Sequence, residues 1–142
     1  MNPAQLQRLA QLRIDDAQAL LSAGRWAAAY YLTGYAVECA LKSCVLRYLN
    51  DTGKIFEDAD YLKRLSGCWT HDFTKLVNLA GMDAEFGNAR KANATLNDYW
   101  LLAVNWSETS RYWETTEDDA RKVFEAVTHD PNGVLTWIRM RW

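Results

Sequence analysis

The stretch Leu32–Cys44, LTGYAVECALKSC, decides how this chain is read. It is mostly apolar, yet Glu38 and Lys42 stand in its middle. Working outward, Ala29, Tyr30, Thr33, Val37, Ala40, Leu41, Cys44 and Tyr48 recur at steps of three and four, which predicts a helix over about Trp26–Tyr48. Almost every face of that helix carries an apolar residue, so it is expected at the centre of a bundle. Glu38 and Lys42 stand at i and i+4, the favourable order for an ion pair on a helix surface. The competing reading has Glu38 facing Arg111 or His71 across the bundle, because a half-buried carboxylate needs a cation or several donors. Arg111 is the partner expected first, with Lys42 one turn further along and nearer solvent.

The same period dominates elsewhere, and strand-like alternation is nearly absent. A first helix is expected over Pro3–Ala23, with Leu6, Leu9, Leu12, Ala17, Leu20 and Leu21 inside and Gly24 after it. Residues 51–70 are the least regular part, with a short helix expected around Glu57–Leu65. Thr70 or Asp72 can cap a helix that buries Phe73, Leu76, Val77 and Leu79, and Gly81 stops it. A longer helix fits Asp83 to about Trp106, with Phe86, Leu96, Trp100, Leu101 and Val104 inside. A Ser- and Thr-rich connection over 107–116 follows, then a helix capped by Thr116 with Glu117, Asp118 and Asp119 at its positive end, then a short helix after Pro131. The expected architecture is all-α: one domain over residues 1–142, an antiparallel bundle of five or six helices.

Composition limits function. The chain has 142 residues and a net charge of −2, so it is not a generic basic nucleic-acid binder. Residues 51–142 hold 15 of the 18 acids, which leaves the first third slightly basic. Cys39, Cys44 and Cys68 have no disulfide-like spacing, and with only His71 and His129 no zinc pattern appears, so neither metal nor cofactor is expected. No signal peptide or membrane span is visible, and a cytoplasmic protein is expected.

Three segments resemble HEPN domains. Gly34, Tyr35, Ala36, Glu38, Leu41 and Lys42 match that family's Gly-Tyr-Ala-x-Glu-x-x-Leu-Lys run. His71, Asp72 and Leu76 match its His-Asp-x-x-x-Leu segment, and Trp106, Arg111 and Tyr112 its Trp-x-x-x-x-Arg-Tyr segment. The matches keep the family's order and cover most of residues 20–127. The resemblance implies an HEPN-like helical bundle that dimerises and binds RNA or nucleotides. It also implies a prokaryotic toxin–antitoxin or phage-defence role, many members being metal-independent ribonucleases paired with a nucleotidyltransferase-like antitoxin. On this reading Arg111, Tyr112, Lys42, His71 and Trp106 contact the ligand, and Arg111, His71 and Glu38 are the catalytic candidates.

The nuclease members carry Arg, four to six residues, then His. After Arg111 those positions are Thr116, Glu117 and Asp118, so the pattern is missing there. Arg64 and His71 have that spacing, but ten arginines and two histidines give roughly 0.4 such matches by chance. Metal-free cleavage of RNA needs a base for the 2′-hydroxyl, a task that suits His and that Arg cannot perform. Arg111 and Tyr112 alone could grip a phosphate and stack a base. Simpler roles exist for each residue: Arg111 as a helix cap, His71 and Asp72 as a capping pair, the tryptophans as core anchors. The alternative function is a non-catalytic helical partner domain that docks a nucleotidyltransferase-like protein. A homodimer is expected, since the aromatic residues exceed what one small core can hide.

Overall fold

Asn2 sets the first helix. Its side chain accepts from the Gln5 amide, the Gln5 side chain answers the Asn2 amide, and Pro3 supplies the first turn of α1 (Pro3–Ser22). The computed structural model describes residues 1–52 and 59–142, apart from the side chains of Thr52 and Arg64. Among them the chain is helical, with no strand: α1, α2 (Trp26–Thr52), α3 (Ala59–Leu65), α4 (Phe73–Leu79), α5 (Asp83–Ala92), α6 (Ala94–Ala103), α7 (Glu117–Thr128) and α8 (Val134–Arg139). Two 3-10 turns, Ser66–Trp69 and Glu108–Tyr112, stand between helices.

The all-α expectation holds at the level of class. The expected five or six helices become eight among the described residues, and the reason is local. Asn93 leaves the helical region (φ −135°, ψ 98°), and its side chain accepts from the Leu96 amide. It therefore ends α5 and starts α6 within what the spacing reads as one helix over Asp83–Trp106. Leu101, expected inside, is 52% exposed, and Leu12 of α1 is also exposed. The connection over 107–116 contains a 3-10 turn that is not visible as a helical period. Glu57 and Asp58 of the expected third helix lie outside the described residues.

α2 is the centre of the fold. α1 packs along it, and α4, α7, α8 and the Glu108–Tyr112 turn meet its other sides. Its inner residues Ala29, Thr33, Ala36, Val37, Ala40, Leu41 and Ser43 are fully enclosed. Two glycines allow close approaches. Gly81 ends the α4 segment at φ +68°, and the Tyr48 ring lies where its Cβ would stand. Gly34, inside α2, is covered by the Trp106 indole. No helix among the described residues is long and apolar enough to cross a membrane.

Cys39 and Cys44 are buried on α2 and Cys68 is half-buried. Burial pushes the Cys39 and Cys44 thiols up to about 11. Both therefore stay protonated in the folded chain while the unfolded chain releases the protons near the ordinary thiol value. Their share of the stability is present below that value and is lost as pH rises toward 11. A thiol reagent at pH 8 is expected to modify Cys68 first and the other two only after unfolding. Three equivalents reacting at one rate in native buffer would contradict this.

Candidate functional site

Glu38 lies at the centre of the site and is 2% exposed. Its Oε1 accepts from the Lys42 ammonium at 2.7 Å, one turn along α2. Its Oε2 accepts from Nδ1–H of His71 at 2.8 Å. The carboxylate is thus satisfied by two nitrogen donors whose side chains both reach solvent, Lys42 at 23% and His71 at 41% side-chain exposure. Both readings of Glu38 hold in part: the i,i+4 pair with Lys42 forms, and a group from across the bundle meets the other oxygen.

That group is His71 and not Arg111. Trp106, at the head of the segment carrying Arg111, covers Gly34 and donates its indole N–H to the Tyr31 carbonyl at 3.1 Å. The segment therefore meets α2 near Tyr31–Gly34. Glu38 lies seven residues beyond Tyr31, roughly 10 Å further along the helix axis. The start of α4 is packed at that level. There Asp72 caps the helix by accepting from the Lys75 amide, and Thr70 accepts from the Asp72 amide. Asp72 alone performs the cap expected of the His71–Asp72 pair, which leaves the imidazole free to turn to Glu38.

Arg111 is exposed, and its guanidinium lies 4.9 Å from the centre of the Tyr112 ring. The phenol of Tyr112, and then that of Tyr31, hold its pKa above the ordinary arginine value. It therefore neither pairs with Glu38 nor caps a helix. Tyr112 is 76% exposed. Trp106, expected as a ligand contact, is 4% exposed and belongs to the core, stacked on Phe73 at 5.3 Å. The side chain of Arg64 lies outside the described residues.

Two features escape the sequence reading. The first is an aromatic pair: Tyr31 and Tyr35 stack at 6.2 Å with their planes 4° apart. Burial, and then the neighbouring Cys39 and Glu38, push the Tyr35 phenol up, so that it stays neutral. Tyr31, Tyr35, Glu38 and Lys42 follow at steps of four, three and four, a stripe that was available in the sequence. The second is a cleft of about 580 Å³ lined by His71, Asp72, Phe73, Trp106, Ser107 and Glu108, among others. The half-buried Glu108 makes no ion pair among the described residues. Nothing in the spacing of the chain foretold that the start of α4 and the Glu108–Tyr112 turn would share a cleft.

Among the described residues no group of three or more His, Cys, Asp or Glu side chains could hold a metal ion. Set against known proteins, the chain matches no family model, no curated protein and no solved structure.

Proposed function

We propose that this chain is an HEPN-like RNA- or nucleotide-binding module of a prokaryotic toxin–antitoxin or phage-defence system, working as a homodimer. The observation that carries the reading is the stacked Tyr31–Tyr35 pair, with Arg111 and Tyr112 at its Tyr31 end and the α2 stripe continuing from Tyr35 to Glu38, which holds Lys42 and His71. Stacked and exposed aromatic rings next to an arginine suit single-stranded RNA, whose bases stack on such rings while phosphates meet the guanidinium. His71 is the one catalytic candidate held by a carboxylate, with Nδ1 directed at Glu38 and Nε2 left for a ligand. This is the arrangement that orients a general base, so metal-independent RNA cleavage is part of the proposal through His71 and not through a residue after Arg111.

The test is binding of labelled single-stranded RNA across a range of salt. Arg111→Met is expected to weaken binding about tenfold and to lower the salt slope by roughly 0.7, the contribution of one phosphate contact. Unchanged affinity and slope would remove Arg111 from the interface. The partner-domain reading rests on a different observation, an apolar groove of Leu46, Leu49, Leu65 and Cys68 beside Trp69, which is 82% exposed. It would lead if RNA and nucleotides both failed to bind.

A further inference from the structure

We infer that the cleft between the start of α4 and the Glu108–Tyr112 turn is a base pocket selective for guanine, with Glu108 as the residue that reads it. The inference rests on the RNA- or nucleotide-binding reading above and names what that site selects.

Charge decides which part of a nucleotide enters. The cleft walls carry the carboxylates of Asp72 and Glu108 and the hydroxyls of Thr70, Thr74 and Ser107. A phosphate would meet like charge there, whereas a neutral ring with N–H donors would not. Arg111 is exposed on the same 3-10 turn, where a phosphate can remain in water. Size agrees, since about 580 Å³ is within the range of small-molecule pockets and exceeds what one base needs. Phe73, Val104 and Trp106 also line the cleft, the first and last of them nearly buried behind it.

Hydrogen-bond chemistry then selects the base. A carboxylate only accepts, with two oxygens side by side. Among the four RNA bases, only guanine presents two adjacent donors on its Watson–Crick edge, the ring N1–H and the exocyclic amine. Adenine and cytosine present a donor beside an acceptor, and uracil one donor between two acceptors. Glu108 is half-buried and makes no ion pair among the described residues, so both its oxygens are uncommitted to a protein cation and can accept from a guanine edge. Asp72 has one oxygen committed to the Lys75 amide, which makes it the poorer reader. His71 is held by Glu38 with Nε2 left over, a further polar group for the bound ring.

Guanine can arrive in RNA or as a free nucleotide, and the test separates these sources. Binding of guanosine, inosine, adenosine and cytidine would be measured by NMR on the full chain, alongside G-rich and C-rich single-stranded RNA. Guanosine is expected to shift the signals of Ser107, Glu108 and His71. Inosine, which lacks the exocyclic amine, should bind at least fivefold more weakly, and adenosine more weakly again. Glu108→Gln, which keeps the shape and replaces one acceptor by a donor, should lose roughly five- to a hundredfold in guanosine affinity at unchanged thermal stability. Guanosine binding without RNA binding would support the pocket and assign it to a free nucleotide. RNA binding with no preference among bases, or with no response to Glu108→Gln, would overturn the pocket and leave the RNA reading standing. Failure of every nucleoside and RNA would overturn both.

Discussion

Gly34→Ala is expected to destabilise the protein by about 3 kcal/mol, although alanine is the better helix former. The substitution adds one methyl group in the interior of α2, where intrinsic preference alone would contribute about 1 kcal/mol of stability. The position that methyl must take is already occupied by Cγ, Cδ1 and Cδ2 of Trp106. Carbon atoms pack best at roughly 3.5–4.0 Å, so the indole would have to move. It has little room to do so: Phe73 is stacked on it at 5.3 Å, Tyr31 lies 5.9 Å away, and the indole N–H is bonded to the Tyr31 carbonyl. For a chain of this size the loss corresponds to a melting temperature lower by about 10 °C. Urea and thermal unfolding of Gly34→Ala would show it, and Gly34→Ala with Trp106→Phe should recover part of the loss. Wild-type stability for Gly34→Ala would mean that the indole does not sit there.

Glu38→Gln is expected to cost about 2 kcal/mol, less than the 3–5 kcal/mol typical of breaking a fully buried pair. The discount follows from the partners. Lys42 and His71 both reach solvent and can hydrate once the carboxylate is gone, whereas Glu38 itself has no such access. The double-mutant design distinguishes the observed partner from the one the sequence favoured. Glu38→Gln combined with His71→Ala should fall short of additivity by about 1 kcal/mol, because the two groups share a hydrogen bond. Glu38→Gln combined with Arg111→Met should be additive within about 0.5 kcal/mol, because those residues do not meet. The opposite pattern would sink the arrangement described for Glu38.

The helices were legible where a period and a cap coincided. In α4, Phe73, Leu76, Val77 and Leu79 follow the step of a buried helix, Asp72 caps it and Gly81 ends it, as expected. Thr116 likewise accepts from the Asp119 amide to start α7. The break at Asn93 was not legible, because its neighbours keep apolar residues at nearly helical steps and asparagine carries a weaker signal than glycine or proline. The candidate site was half legible. That Glu38 needed a partner followed from its apolar surroundings, but which side chain met it from across the bundle depended on how far along α2 each segment docks. That distance is set by Trp106 settling on Gly34, a contact between residues 72 positions apart that no local pattern encodes.

Asn93 ends one helix and begins the next, and its side-chain amide also donates to Asn132 at 3.0 Å. No spare residue stands between α5 and α6, so this corner has no slack for changes in length. One added residue would rotate everything after it by about 100° about the α6 axis. Leu96, Trp100 and Ala103 would swing out of the core, and the indole of Trp106 away from Gly34. Substitutions along α6 perturb packing one side chain at a time, whereas an insertion at this corner would misalign the aromatic anchor and the turn that carries Arg111 together. The spacing from residue 93 to residue 106 thus acts as a ruler that sets where the candidate site is assembled.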